Sequence, residues 1–118
     1  MAFLVRQPET IDLEVVVKLP DGEKRTFTIT AKYLGMKERK ALLEELNNTE
    51  IQDIDLLKRL VTGWNDVHDE GGNDIPFNAS NLERVADIPF VFDGLVSAII
   101  AEYLNVVPGI LQPSVRKN

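Results

Sequence analysis

Between Ile11 and Leu19 the chain reads I-D-L-E-V-V-V-K-L, so Ile11, Leu13, Val15, Val17 and Leu19 alternate with Asp12, Glu14, Val16 and Lys18. A period of two marks a strand with one buried face. Pro20-Asp21-Gly22 comes next. Proline presets φ and glycine accepts positive φ, which makes this tripeptide a turn. Lys24–Thr30 alternates again, with Phe27 and Ile29 on one side. The pattern predicts an antiparallel hairpin over residues 11–30. A lone hairpin is marginal in water, so its apolar face needs a cover.

The period then changes to that of a helix, and the helix over about 35–47 can supply the cover. Met36, Leu42, Leu43 and Leu46 fall on one side of it and Lys37, Glu38, Glu44 and Glu45 on the other. A second helix is expected over 53–63. Asp53 is placed to cap it, Ile54, Leu57, Val61 and Trp64 share its stripe, and Gly63 is placed to stop it. Val67 and Ile75 flank Glu70-Gly71-Gly72-Asn73, a candidate short hairpin whose glycines take positive φ. Asn78 is a suitable N-cap for a third helix over 79–87, with Phe77 and Leu82 at the two positions of a hydrophobic staple. Pro89 ends that helix, because a residue before proline avoids the α region.

The last helix, over 89–104, is the most apolar element. Phe92, Leu95, Val96, Ile99, Ile100, Tyr103 and Leu104 recur at helical spacing, and only Asp93, Ser97, Glu102 and Asn105 are clearly polar nearby. A helix apolar around so much of its circumference is buried on more than one side. It is either the central core helix or a core helix that also meets another chain. The extension 106–118 carries Val106, Val107, Ile110 and Leu111, but Pro108 and Pro113 prevent a continuous helix. It is expected to be a flexible tail. The expectation is an α+β protein, mostly helical, with an N-terminal antiparallel β-hairpin packed on about four helices. Residues 1–105 form its single domain.

Composition narrows the function. The chain has 118 residues, no cysteine and a net charge of −6. Residues 1–40 are net +2, whereas residues 41–105 hold 13 acids against Lys58, Arg59 and Arg84. Nucleic-acid binding draws much of its affinity from Lys and Arg neutralising phosphates, so an acidic middle argues against DNA or RNA. No apolar run approaches the ~18 residues of a membrane span. The start M-A-F-L-V-R lacks the basic and apolar regions of a secretory signal. A soluble, intracellular setting is expected.

Catalytic chemistry finds no support. His68 is the one histidine, no G-x-S-x-G turn exists, and no feature selects a pair among the 19 acids. Asp66, His68 and Glu70 occupy alternate positions before Gly71, as in a calcium loop, but the twelfth position is Phe77 where a bidentate glutamate belongs. Gly71-Gly72 lacks the lysine of a phosphate loop. No catalytic, metal or cofactor residue is assigned. An interaction protein remains. Trp64, Phe77, Phe90 and Phe92 lie close in sequence to the acidic loop, and aromatic anchors with a charged rim are common at binding surfaces. With Ile99 and Tyr103 of the last helix and Ile110 and Leu111 of the tail, they are the candidate partner-binding residues.

The order Gly63-Trp64, Val67, Asp69-Glu70, Gly72, Ile75-Pro76-Phe77 and Asn81-Leu82, followed by a helix ending near Tyr103, resembles a family of tail assembly chaperones of long-tailed bacteriophages. The likeness is close over about a third of the chain. Asp66 stands where that family leads one to expect glycine, and Gly71 where an acid is usual. The resemblance implies a non-enzymatic protein of the host cytoplasm that binds the phage tape measure protein. It would keep the client's apolar helices from aggregating until tail tube protein displaces it, and it would be absent from the mature virion. Several copies would be needed on so long a client, and self-association would supply them. The rival readings are a structural tail or head–tail connector protein retained in the virion, and a small metal-dependent enzyme.

Overall fold

The two alternating stretches form β1 (Thr10–Lys18) and β2 (Lys24–Lys32), paired antiparallel from Thr10↔Lys32 to Lys18↔Lys24. The computed structural model describes residues 2–48 and 53–104. Gly22 closes the turn, donating its N–H to the Leu19 carbonyl at 3.0 Å, and takes φ +94°, where a side chain would be strained. The Asp21 carboxylate accepts the Glu23 N–H at 2.9 Å and fixes the return. Val15, Val17, Ile29 and Ala31 face the core, while Asp12, Glu14, Val16 and Lys18 are exposed. The period-two reading holds residue by residue.

α1 (Met36–Asn48) starts where Glu38 reaches back to the Gly35 N–H at 3.0 Å, one half of a capping box. Leu42 and Leu43 are buried as expected, but Met36 is exposed. Arg39 takes the inward place instead. α2 (Asp53–Leu60) is shorter than expected, and the Asp53 side chain expected to cap it lies outside the described residues. Leu56, Leu57 and Leu60 are its buried face.

The main departure follows. Residues 61–65 do not continue the helix; they form β3 (Val61–Asn65), antiparallel to β2, in a sheet of order β1-β2-β3. Val61, Thr62 and Trp64 are strand formers, and Gly63 is among the poorest helix formers. The deciding term is the outer edge of β2, whose N–H and C=O groups need partners. Register shifts between Thr30 (paired with Gly63) and Ala31 (paired with Val61), so Thr62 is bulged, with its hydroxyl on the Thr30 carbonyl at 3.2 Å. The hairpin is thus part of a three-stranded sheet, and helix accounts for only 43% of the fold, which corrects the expectation of a mostly helical protein.

α3 (Ala79–Ala86) has the expected N-cap, Asn78 accepting the Asn81 N–H at 2.8 Å, and buries Leu82, Val85 and Ala86. α4 (Pro89–Tyr103) opens with proline in its first turn after Ile88 and ends at Leu104. It lies along β1, contacting the sheet far more than α1 does, and α3 and α2 close its other side. The hairpin's cover is therefore α4 rather than the next element in sequence. Val91, Gly94, Leu95, Ile99 and Tyr103 line its buried face.

Candidate functional site

Trp64 leaves β3 half-buried and donates its indole N–H to the Ile75 carbonyl at 2.7 Å. The Phe77 ring meets it edge-on, with centroids 5.0 Å apart at 89°. These two aromatics hold the acidic loop against the sheet. Within the loop, Asp69 and Asn73 are joined by a backbone bond of 2.8 Å, Ile75 bonds back to Val67 at 2.8 Å, and His68 bridges to Asp74. The hairpin read from the sequence is present, although of its two glycines only Gly72 has positive φ. The Asp69 carboxylate accepts the Asn73 and Gly71 amides at 3.0 and 2.9 Å. Those bonds, the Asn73 amide foremost, hold it below the usual carboxylate range, and the Arg84 charge adds to the effect. His68 Nε2 lies 2.6 Å from Asp74 Oδ1. Among the described residues no three His, Asp or Glu side chains converge on a point where a metal ion would sit.

Between this loop, the tip of the hairpin and the α3–α4 corner lies a groove of about 660 Å³. Leu19, Phe27, Val67, Ile75 and Phe90 give it an apolar floor, and Ile88, itself 40% exposed, stands at its lip. Asp66, Asp69 and Glu70 stand on the loop side, Arg25 and Arg84 on the other walls.

A second apolar surface runs down the outer side of α4. Phe92, Val96 and Ile100 stand four residues apart, so they align as one ridge. Phe92 and Val96 are half-buried, Ile100 is 41% exposed, and Asp93 and Ser97 beside them are exposed. A hollow of about 490 Å³ separates the ridge's first turns from Val16 and Lys18 of β1.

The candidate residues read from the sequence thus fall into five groups. Trp64 and Phe77 brace the loop, Phe90 floors the groove and Phe92 begins the ridge. Ile99 and Tyr103 point into the core and present no surface to a partner, because α4 turns that side toward the sheet. The Tyr103 hydroxyl donates to the Lys32 carbonyl. Above its ring, 5.3 Å from the centroid, sits the buried Arg39 guanidinium, which also donates to the Leu34 and Glu102 carbonyls. Ile110 and Leu111 lie outside the described residues. Reasoning from the sequence missed Ile88, the ridge as a unit, and the run Phe3-Leu4-Val5, which is exposed. The last had a signal, three consecutive apolar residues cut off from the strand by Pro8.

A family model described as phage tail assembly chaperone matches residues 1–109. No curated protein and no solved structure matches the chain.

Proposed function

The chain belongs to the phage tail assembly chaperone family, and from that premise we propose that it binds the tape measure protein and keeps it soluble while the tail is built. The observation that supports this reading is the ridge of Phe92, Val96 and Ile100. Among the described residues this row is only partly covered, Phe92 packing against the core while Ile100 is 41% exposed, and it has the i, i+4, i+8 geometry that meets another amphipathic helix. A tape measure helix laid along it would hide its own apolar stripe, and the acids of residues 41–105 would keep the complex soluble. The proposed role is non-enzymatic and cytoplasmic, it ends when tail tube protein displaces the chaperone, and it involves neither nucleic acid nor membrane.

Coexpression tests it. The native chain should raise the soluble fraction of its cognate tape measure protein several-fold, and Ile100→Asp should abolish the gain while remaining folded. No change with the native chain, both proteins being well expressed, would count decisively against the reading. Mass spectrometry of purified particles should find the protein missing, whereas a structural tail or connector protein would be present in stoichiometric amount.

A further inference from the structure

Ile100 lies one turn inside the end of α4, so the row of Phe92, Val96 and Ile100 runs back from the point where the helix stops. The chain continues past that point. Beyond the described residues it reads N-V-V-P-G-I-L-Q-P-S-V-R-K-N over 105–118. Val106, Val107, Ile110, Leu111 and Val115 make this stretch more apolar than a solvated extension requires. Pro108-Gly109 is a reversal signal, since proline presets φ at the second position of a turn and glycine accepts positive φ at the third. Pro113 then keeps the limb that follows out of a helix.

Lengths along the two limbs agree. Going back from Leu104, Ile100 is about 6 Å away and Phe92 about 18 Å, at ~1.5 Å per residue. Residues 105–109 make a reversal of ordinary length between packed elements. An extended return limb starting at Ile110 brings Ile110 and Leu111 beside Ile100. From Leu111 to Val115 it covers about 13 Å at ~3.3 Å per residue, against about 12 Å of helix from Ile100 to Phe92. The apolar residues of the tail therefore recur at the spacing of the ridge. Charges beside the ridge are mixed, Asp87 and Asp93 bordering the hollows on either side of Phe92 together with Arg84 and Lys18. The apolar match thus sets the register, and Arg116 and Lys117 arrive where the two carboxylates have no ion-pair partner among the described residues.

We propose that the chain's own tail is the resident occupant of the ridge, Ile110 and Leu111 lying against Ile100 and Val115 against Phe92 and Val96. A short tether holds such a segment at an effective concentration in the millimolar range, which a separate chain must outcompete. The docked tail keeps the ridge from water and from casual partners until a better-fitting helix displaces it. That last step rests on the chaperone reading, in which the helix belongs to the tape measure protein; the docking of the tail does not.

The chain has no cysteine, so a pair can be introduced without competition. Ser97→Cys stands exposed beside the ridge and Ser114→Cys precedes Val115. Under mild oxidation of dilute protein, mass spectrometry should show the intramolecular disulfide. It should form at least about tenfold faster than in the same protein carrying Ile110→Asp and Leu111→Asp, which removes two apolar contacts. Both tail substitutions lie beyond the last helix, so circular dichroism should be unchanged. Equal rates in the two proteins would overturn the proposal, and a disulfide-linked dimer as the main product would give the tail to a second copy and overturn it equally. In coexpression, the Ile110→Asp, Leu111→Asp variant with its native serines should solubilise at least as much tape measure protein as the native chain. A fall would mean that the tail itself grips the client and would overturn its role as a competitor. A native chain that solubilises nothing would defeat the chaperone reading, while the disulfide rates would still decide whether the tail lies on the ridge.

Discussion

Gly94 of α4 sits so close to the Val16 carbonyl of β1 that a β-carbon on it would come within 2.6 Å of the oxygen. That approach explains how a 15-residue apolar helix can lie along an edge strand and seal Val15, Leu95 and Ile99 beneath it. The obstacle is backbone, which cannot rotate aside. Gly94→Ala should therefore destabilise the protein by about 1–2 kcal/mol, an overpacking cost at the ~2–3 end of the usual range, because the clash is with backbone, offset by ~1 of improved helix propensity. A fall in thermal midpoint of about 5 °C or more is expected. An unchanged midpoint would mean that α4 does not lie this close to β1.

Arg39 ties three separate pieces of chain together. Its Nε donates to the Leu34 carbonyl at 2.6 Å, and its two terminal nitrogens reach the Glu102 carbonyl at 2.5 Å and the Glu102 carboxylate at 3.2 Å. The Glu102 carbonyl belongs to the last turn of α4, which has no intrahelical donor for it. Arg39→Ala should cost about 2–3 kcal/mol, chiefly through acceptors left without donors, the partly exposed Glu102 side chain contributing little. Arg39→Lys should recover less than half, because one ammonium cannot serve a fork of three acceptors. Urea unfolding of the three proteins decides it.

Asp66 is the one residue other than glycine with positive φ among those described, at +65°. This is the position at which the resembling family leads one to expect glycine. A side chain in the left-handed region costs about 1–2 kcal/mol, and glycine's extra freedom in the unfolded chain costs about 0.5–1. Asp66→Gly should consequently leave the protein equally stable or more stable by up to about 1.5 kcal/mol. Asp66→Val should lose about 1–2 kcal/mol, β-branched residues tolerating this region least. Denaturant midpoints of the pair should move in opposite directions, or the valine's alone should fall.

Tyr103 links stability to alkaline pH. Burial pushes its hydroxyl up to about 12 from 10.0, with the Glu102 charge adding and Arg39 opposing. The folded state holds the proton more tightly than the unfolded state does. Its contribution is therefore complete below pH 10, where the unfolded tyrosine also keeps its proton, and is lost as pH rises toward about 12. Thermal midpoints should fall across that window, and Tyr103→Phe should flatten the fall while costing about 1 kcal/mol at neutral pH for the lost hydrogen bond to Lys32.

Local chemistry settles several elements: the alternation of β1, the Pro20-Asp21-Gly22 turn, the Asn78 cap and the proline start of α4 all act within a few residues of their own position. The family was legible for the same reason, since its spacing runs along the chain from Trp64 to Tyr103. Distant partners settled the rest. Val61–Asn65 became a strand because β2 offered an unpaired edge, and Arg39 turned inward because the end of α4, sixty-three residues later, supplied acceptors. The side of an all-round apolar helix that would remain open was likewise undecided until Gly94 met Val16. Pattern along a chain fixes which residues avoid water, whereas the choice of surface that covers them is an energy of whole elements, and only the folded arrangement contains it.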